Sequence, residues 1–415
     1  MESKVLIVAH TFPPAAGVGG RRWAKFSKYL NQNNVIPFIL TANSGSGDSL
    51  WTEDIKSIKN IFFYKNRFPE IISKTHLNFI DKIRYKLALF IIKFFAKGNY
   101  YDRVVFDRDQ IIRQIDGLLK QHSINDLIVS GAPFNLLYYA AIYKQKNPKI
   151  NFIADIRDPW TWGQNYGITL IEDRRKLVEK EKEALVLKVA DTILVPTGIM
   201  YDHLVKNYPE AACKIKVLAH GFDSDSIRPR EVPFRFTPKQ VKIAYIGELY
   251  DHIGHYFGSI ADAMQNENSP FLIDFYSRTD RYKEIFTERS LVGTKVNYHP
   301  LIKSADLFER LKEYDFILII HPTFAKDYIS TKFYEILYSR TPIIFIAEQG
   351  ITSDFIQETG SGIYLSIDQI SEFFNSDQMV SKFIYQDYKD INKFEMNFMT
   401  KNTLIDCLSY KPHSS

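Results

Sequence analysis

Short apolar runs alternate with longer segments of helical periodicity along the chain, and the alternation occurs in two series. In the first half, runs rich in Val, Ile and Phe predict strands at residues 5–9, 35–40, 61–64, 127–130, 151–155 and 192–196. The rhythm resumes with predicted strands at residues 241–246, 271–276, 295–298, 316–320, 342–346 and 362–365. Apolar strands that alternate with helices are typical of parallel sheets covered on both faces. The pattern therefore predicts an α/β fold with two doubly wound sheets.

Residues 224–240 separate the two series, with three prolines and few patterned apolar residues, a composition typical of a linker. We therefore predict an N-terminal domain over residues 1–223 and a second domain over residues 241–385. Open α/β sheets bind ligands at the carboxyl ends of their strands. The predicted binding region is a cleft between the two domains, lined by such strand ends.

The composition indicates a compartment and excludes some partners. A chain of 415 residues suits two domains, and 45% hydrophobic with 24% charged residues is typical of a soluble globular protein. A net charge of +5, without a nucleic-acid-binding motif, argues against a nucleic acid partner. Cys213 and Cys407 lack metal-ligand spacing, and neither a signal peptide nor an apolar run of about 20 residues is evident. We expect a cytoplasmic protein.

A Ser/Thr-Lys turn, a helix and a buried strand follow one another in residues 327–345. Ser330 and Thr331 fall where the helix begins, so free N–H groups and the positive dipole end would face an anion, with Lys332 adding charge. Glu335 lies one turn further, where a carboxylate can accept hydrogen bonds from a ribose diol. This pattern favours a site for the diphosphate of a nucleotide sugar. A capped amphipathic helix packed on the strand is the alternative interpretation.

A glycine-rich turn follows the first predicted strand and precedes a helical pattern. Gly19 and Gly20 allow the backbone to approach a phosphate or sugar closely, and Arg21 supplies positive charge. The spacing differs from the GxGxxG fingerprint, which makes an NAD-dependent enzyme the weaker interpretation. Glycines that only form a tight turn are the alternative to a binding site.

Charged residues and a glycine end other predicted strands. Asp155, Arg157 and Asp158 close a strand expected to be buried on both faces, so they either lock a loop or bind a polar ligand in the cleft. Asp223 precedes the linker, from where it could contact either ligand. Gly247 ends the first strand of the second series, where a backbone contact with the ligand is expected.

Two other patterns give no metal or acid–base prediction. Asp-x-Asp sequences at residues 107–109 and 223–225 lack a third oxygen ligand nearby, so we predict no metal ion. His299 and His321 end predicted strands, but no Ser/His/Asp or Cys/His set accompanies them, and we assign neither a catalytic role.

Residues 77–97 form a basic amphipathic helical pattern. Apolar residues recur at 80, 83, 87, 90 or 91 and 94, and the other positions include Lys82, Arg84, Lys86, Lys93 and Lys97. Such a segment can lie on an anionic membrane surface. An ordinary surface helix packed on its own domain is the alternative.

Five motifs in order along the chain resemble those of bacterial family-4-like glycosyltransferases with the two-Rossmann-domain GT-B fold. They are the glycine-rich loop after the first strand, IADIRDPW, HGFD, YIGELY and STKFYEILYSRTPII. The resemblance implies two Rossmann-like domains facing across a cleft, with C-terminal helices over residues 386–415 that pack back on the first domain. It also implies that the second domain binds a nucleotide diphosphate-sugar donor, and the first domain a glycan or lipid-linked acceptor. Hexosyl transfer with retention, without a metal or cofactor, is the implied reaction.

Carried over residue by residue, the resemblance assigns Glu335 to the ribose and places Asp327 where the family has the first acid of its E-x7-E element. An aspartate there departs from the family's glutamate. Lys332, Asp327 and Asp155 are the predicted catalytic residues.

The largest departure from the family pattern is Glu248, which stands where many members have an arginine of a phosphate-binding pair. In this chain Lys332, the helix start and Arg278 would have to stabilise the leaving diphosphate. The departure keeps two other interpretations open. One is a nucleotide-sugar epimerase of the same fold, and the other is a non-catalytic sugar-nucleotide-binding protein. The family likeness and the basic helix together suggest surface polysaccharide synthesis at the inner face of the bacterial plasma membrane.

Overall fold

The chain divides into two compact units, one for each series of strands. The computed structural model describes residues 3–15, 18–43, 52–74, 77–231, 240–247, 249–302, 304–326 and 328–409. Unit 1 comprises Met1–Ala219 together with Met396–Ser415, and unit 2 comprises His220–Glu395. Residues 386–395, which the sequence analysis grouped with the C-terminal helices, belong to unit 2.

Unit 1 is built on a parallel sheet. Its strands are β1 (Ser3–Ala9), β2 (Val35–Ala42), β3 (Asn60–Tyr64), β4 (Asp126–Gly131), β5 (Asn151–Ile156), β6 (Thr192–Val195) and β7 (Ile215–Val217). They lie in the order β3-β2-β1-β4-β5-β6-β7, and every neighbouring pair is parallel. The first six were predicted from their apolar runs. The three-residue β7 was missed because two of its residues are exposed.

Helices connect these strands and cover the sheet. They are α1 (Val18–Gln32), α2 (Phe79–Phe95), α3 (Arg108–His122), α4 (Asn135–Lys146), α5 (Asp173–Val189) and α6 (Gly198–Asn207). The C-terminal residues return to this unit, where a short α14 (Met396–Met399) packs on α1. The Asn33 amide donates to Asn397 Oδ1 at 3.0 Å, and the Asn151 amide donates to the Cys407 carbonyl at 2.8 Å. This return was predicted.

Unit 2 repeats the architecture with a smaller sheet. Its strands are β8 (Val241–Ile246), β9 (Phe271–Tyr276), β10 (Val296–His299), β11 (Phe316–Ile320), β12 (Ile343–Ile346) and β13 (Gly362–Leu365). They lie in the order β10-β9-β8-β11-β12-β13, all parallel. Its helices are α7 (Gly254–Met264), α8 (Lys283–Thr287), α9 (Ser304–Leu311), α10 (Thr331–Ser339), α11 (Ile351–Thr359), α12 (Ile370–Asn375) and α13 (Gln378–Lys382).

Each sheet carries its own apolar core. Val, Ile, Leu and Phe side chains of the strands are almost fully buried against the flanking helices, which is why the strands read as continuous apolar runs. Because all strands in a sheet are parallel, their carboxyl ends lie along a single edge. The two parallel sheets confirm the predicted α/β fold class, and the ends of β5 and β8, which carry candidate residues, lie on these edges.

Candidate functional site

The end of β8 and the start of α10 come together in unit 2. Strands β8 and β11 are neighbours, and α10 follows β11. The Lys332 ammonium, in the first turn of α10, donates to the carbonyl of Ile246 at 3.5 Å. The next residue, Gly247, has a φ of +132°, and a Cβ atom there would lie 3.0 Å from Lys332 Nζ. Glycine therefore provides both the backbone conformation and the room that lets this cation approach the strand end.

The N-terminus of α10 presents backbone N–H groups beside that cation. Ser330 is the N-cap residue and is extended, but its side chain makes no capping hydrogen bond. Ser330, Thr331 and Lys332 are all half-buried. Because the Ser330 hydroxyl accepts no hydrogen bond from an N–H group of the first turn, those N–H groups can donate to another acceptor. The helix dipole and Lys332 both favour an anionic acceptor at this position.

Glu335 lies one turn into α10 and is only 4% exposed. A buried carboxylate needs hydrogen-bond donors around it, and a carboxylate accepts readily from vicinal hydroxyl groups. Arg278 is exposed two residues beyond β9, the strand next to β8, so it lies on the same edge of the sheet. The predicted site residues Glu248 and Asp327 lie outside the described residues.

His321 is a buried residue of this edge to which the sequence analysis gave no role. It directly follows β11, is 8% exposed and packs its ring edge-on against Phe345. Its Nδ1 atom has no hydrogen-bond partner. Burial lowers the pKa of His321 to about 4, so the ring is neutral at pH 7. The strand-end His-Pro dipeptide was a visible signal, but nothing in the sequence indicated its burial.

Asp155 occupies the corresponding edge of unit 1 and is completely buried. Its carboxylate accepts from the Trp23 indole at 2.7 Å and from the Ser130 hydroxyl at 2.7 Å. The Arg22 guanidinium lies 3.5 Å from the other carboxylate oxygen. These three donors come from α1 and β4, so Asp155 ties those elements to the end of β5. Of the two interpretations weighed for this strand end, the contacts favour the one in which it locks the local structure.

Arg22 also links Asp155 to the chain that directly follows β7. Its guanidinium donates to the carbonyls of Leu218 and Ala219 at 2.7 and 2.8 Å. Burial lowers the pKa of Arg22, while the charge of Asp155 acts in the opposite direction. A buried guanidinium with a carboxylate and two carbonyl acceptors is a compensated charge. The contacts of Arg22, Trp23 and Ser130 with Asp155 were not predicted, because these residues are distant from Asp155 in the chain.

The predicted residues Gly19, Gly20, Arg157 and Asp158 lie close together beside this cluster. A Cβ atom on Gly19 would lie 1.1 Å from Arg157 Nη1, and one on Gly20 would lie 2.4 Å from the Thr11 carbonyl oxygen. Arg157 donates to the Ala132 carbonyl at 2.9 Å, and its Nε lies 3.3 Å from the Asp158 carboxylate. The glycine pair therefore makes room for the guanidinium and for a backbone crossing.

Arg21 and Asp223, two other predicted residues, make contacts of their own. Arg21 Nε is 3.7 Å from the Asp54 carboxylate, which turns the arginine towards the chain that follows β2. Asp223 belongs to unit 2, is 1% exposed and accepts from the Asp225 N–H at 3.2 Å. It caps a short helical turn over Ser224–Ser226, a role that explains its burial without a ligand.

His10 is a second buried histidine that sequence reasoning passed over. It follows β1, is 8% exposed, and shares a 2.8 Å hydrogen bond with the Tyr64 hydroxyl. Burial, helped by the positive charges of Arg103 and Arg157, lowers the pKa of His10 to about 4. A neutral imidazole is therefore held next to two arginines at the strand edge of unit 1.

Solved structures of sugar-nucleotide enzymes have this fold. A glycosyltransferase from Rickettsia africae is 14% identical over 98% of each chain, with a TM-score of 0.62. Anabaena HepE, solved with UDP and glucose, is 9% identical over 98% of this chain and all of its own, with a TM-score of 0.61. A UDP-N-acetylglucosamine 2-epimerase from Rickettsia bellii is 12% identical over 98% of this chain and 96% of its own, with a TM-score of 0.54.

These likenesses establish the GT-B type of fold for this chain. At such low identity the fold is all that they establish, because GT-B glycosyltransferases and epimerases share it. No family model matches the chain, and no curated protein matches it by sequence. The choice between these reactions has to be argued from the residues of the site.

The described residues also bear on metal binding and on membrane spanning. Within the described ranges, no group of three or more His, Cys, Asp or Glu residues is arranged to hold a metal ion. Among the helices of those same ranges, none is both long and apolar enough to cross a bilayer.

Proposed function

We propose that the protein is a glycosyltransferase that moves a hexosyl group from a nucleotide diphosphate-sugar to a glycan or lipid-linked acceptor. The observation that carries the proposal is the approach of Lys332 Nζ to the end of β8, beside Gly247 and at the N-terminus of α10. A cation, a helix start and a glycine at a strand end lie side by side here, and together they form an anion site suited to a diphosphate.

The donor would be bound entirely by unit 2. Lys332 and the N–H groups that follow Ser330 would receive the diphosphate, and Gly247 would allow the phosphates to approach the backbone. Arg278, on the same edge of the sheet, would add a second cation. Glu335, buried one turn into the helix, would accept hydrogen bonds from the ribose hydroxyls.

In the proposed reaction, the bond between the anomeric carbon and the diphosphate oxygen breaks, and the nucleoside diphosphate leaves with the bonding electrons. An acceptor hydroxyl oxygen bonds to the anomeric carbon on the same face, and its proton passes to a diphosphate oxygen. Charge develops on the leaving diphosphate, where Lys332 and the fixed N–H dipoles stabilise it in the transition state. Because the acceptor attacks the face that the leaving group vacates, the scheme gives retention. It assigns the stabilisation of the leaving group to Lys332 and the N–H dipoles and not to a metal ion.

Unit 1 would bind the acceptor. Gly19, Gly20, Arg157 and Asp158 form a polar group at its strand edge, and we propose this group as the acceptor contact. Asp155 is proposed as a positioning residue, since its carboxylate is buried and engaged by Trp23, Ser130 and Arg22. This role replaces the direct catalytic role predicted for Asp155 from the sequence.

The epimerase of the same fold is the second candidate, favoured by the likeness to the 2-epimerase from Rickettsia bellii. An epimerase changes the sugar of its donor without a second substrate, so one assay separates the two. The full chain is incubated with UDP-, GDP-, ADP- and CDP-sugars, with and without a mixture of glycan and polyprenyl-phosphate acceptors. Released nucleoside diphosphate with an acceptor-dependent product supports transfer, whereas an isomerised donor supports epimerisation. Binding without turnover of any donor would indicate a binding protein.

Retention, metal independence and the nature of the acceptor can each be tested separately. The anomeric configuration of the product, read from its proton NMR coupling, tests retention. Undiminished transfer after treatment with EDTA would support a metal-independent reaction. We place the reaction in surface polysaccharide synthesis at the inner face of a bacterial membrane, and an acceptor that carries a lipid-linked phosphate would support that placement.

A further inference from the structure

Helix α2 leaves most of its apolar side chains in solvent. Eight of its residues are between 43% and 78% exposed, and we refer to them as the α2 apolar face: Phe79, Ile80, Ile83, Leu87, Phe90, Ile91, Phe94 and Phe95. The sequence analysis weighed a packed surface helix against a membrane-binding one for this segment. The exposure shows that the predicted apolar stripe does not pack on the protein's own domain. Contiguous exposed apolar surface of this kind marks an interaction site.

The face is continuous around the helix. At about 100° per residue, its eight side chains fall within an arc of about 160°. The opposite side of α2 rests on unit 1, where Ile92 and Ala96 are buried in a small apolar cluster with Phe68 and Tyr100, and Leu89 packs against it. The helix therefore has one side that packs on unit 1 and another that is largely exposed, where Phe95 makes an edge-on ring contact with Phe106.

Both ends of α2 are fixed, so the face is part of the folded structure. The Asn78 side chain caps the N-terminus by accepting from the Asp81 N–H at 2.8 Å. At the other end, buried Arg175 donates to the carbonyls of Lys93 at 2.7 Å and Gly98 at 3.1 Å, and also to the carbonyl of Ala96. A buried guanidinium at a helix C-terminus is a strong cap.

Positive charges border the face. On the same helical projection, Lys82 and Lys86 lie along one edge of the arc, and Arg84 lies near the other edge. Lys93 lies on the first edge too, with its ammonium 3.9 Å from the Glu172 carboxylate. The only carboxylate of the helix, Asp81, lies on the domain side and pairs with Lys74 at 2.5 Å. The exposed side of α2 therefore combines apolar side chains with cations and has no acidic residue.

We propose that the α2 apolar face inserts into the surface of an anionic lipid bilayer, with the helix axis parallel to the membrane. Aromatic and aliphatic side chains would enter the boundary between headgroups and acyl chains, while the bordering lysines would contact lipid phosphates. A helix of 17 residues is too short to span the bilayer, which fits an in-plane position. The proposal goes beyond sugar transfer and does not depend on it.

Co-sedimentation of the full chain with vesicles tests this proposal. Vesicles of phosphatidylcholine with 30% phosphatidylglycerol are compared with pure phosphatidylcholine. The wild-type protein should bind the anionic vesicles preferentially. The double variant Phe90→Ser/Phe94→Ser should lower the partition coefficient at least about tenfold, because two inserted aromatic rings are lost. Its matched control is Leu177→Ser/Ile384→Ser, which alters two exposed residues elsewhere, 61% and 79% exposed, and should bind as wild type.

A second pair of variants separates the charge contribution. Lys82→Glu/Lys86→Glu should weaken binding to anionic vesicles severalfold, and Lys146→Glu/Lys149→Glu, with the same change in net charge on exposed residues outside α2, should change it much less. Equal binding by wild type and both α2 variants, with circular dichroism unchanged, would overturn the proposal. So would a dimer seen in analytical ultracentrifugation without lipid and abolished by Phe90→Ser/Phe94→Ser, because the face would then join two copies.

Failure of the membrane proposal can be distinguished from failure of the proposed function in sugar transfer. Vesicle binding is measured without a sugar donor, and donor binding is measured without vesicles. Phe90 and Phe94 are in unit 1, and the candidate donor-binding residues are in unit 2. The variant should therefore bind nucleoside diphosphates as wild type does. Loss of both properties would instead indicate misfolding, which unfolding measurements on the same samples would reveal.

Discussion

Charged residues lie at the strand edge of each unit, and the two units use them differently. At the edge of unit 1, Asp155 is completely buried, and donors from the same unit surround its carboxylate. At the edge of unit 2, Lys332 is half-buried in the first turn of α10, and its ammonium lies next to Gly247 at the end of β8. The first arrangement stabilises the fold, and in the proposed function the second would present positive charge to the donor diphosphate. A charged strand end therefore indicates the binding edge, but only its contacts decide between positioning and binding.

The largest expected effect is on the stability of unit 1. Replacing Asp155 by alanine leaves the buried Arg22 guanidinium without its carboxylate and removes the acceptor of Trp23 and Ser130. Loss of one partner of a buried ion pair costs about 3–5 kcal/mol of unfolding free energy. Urea denaturation should show this loss for Asp155→Ala, with a smaller loss for Asp155→Asn, which keeps one acceptor oxygen. A wild-type denaturation midpoint for Asp155→Ala would contradict the positioning role.

The edge of unit 2 should respond in the opposite manner. Lys332→Ala should lower kcat about 10²–10³-fold, because a cation is lost where charge develops on the leaving diphosphate. The urea midpoint should stay close to wild type, since the ammonium is only half-buried and its hydrogen bond to the Ile246 carbonyl is long, at 3.5 Å. Lys382→Ala, an exposed lysine on α13, is the matched control and should have wild-type kinetics. Unchanged turnover in Lys332→Ala would remove this residue from the site.

The pH dependence of the unfolding free energy gives a further test of the edge of unit 2. His321 lies at this edge and is buried, at 8% exposed. Its pKa is lowered from 6.5 to about 4 by burial, so between pH 6.5 and 4 the unfolded chain binds a proton that the folded chain does not. The unfolding free energy therefore falls as the pH falls through this window. At pH 5, relative to pH 7.5, the wild type should lose about 2 kcal/mol more than His321→Gln.

The measurement is urea denaturation of both proteins across that pH range. Burial raises the pKa of Asp102 to about 6, which acts in the opposite direction as the pH falls. That contribution is present in wild type and variant alike, so it cancels in their difference. Parallel pH profiles for the two proteins would show that His321 titrates normally and is not buried as described.

The smallest expected effect concerns the backbone at the end of β8. Gly247→Ala places a Cβ atom 3.0 Å from Lys332 Nζ at a φ of +132°, where residues with a Cβ atom are strained. We expect backbone strain to lower the unfolding free energy by roughly 1–2 kcal/mol. Donor affinity should fall up to about tenfold, because the Cβ atom would push the Lys332 ammonium out of its position. Gly258→Ala, in the middle of α7 with open space around the position, serves as the control. Titration calorimetry with nucleoside diphosphate compares the variants.

The sequence predicted the architecture well and the contacts poorly. Six strands of each sheet were predicted, because buried parallel strands are continuous apolar runs, and only β7 was missed. The start of α10 was predicted from the Ser-Thr-Lys turn, since local residues determine a helix start. The partners of Asp155 could not be predicted, because Trp23 and Arg22 lie more than 130 residues away in the chain. The exposure of the α2 apolar face was likewise undetermined, since an amphipathic pattern is the same whether the stripe is packed or bare.

The central claim is that Lys332 and the start of α10 bind a diphosphate, and comparison of nucleoside diphosphate with monophosphate tests it most directly. Calorimetric titration of wild type and Lys332→Ala is performed with UDP and UMP, or with the base that binds best among the four. The wild type should bind the diphosphate at least about tenfold more tightly than the monophosphate, and Lys332→Ala should lose most of that preference. An equal preference for the diphosphate in both proteins would place the β-phosphate elsewhere and contradict the account.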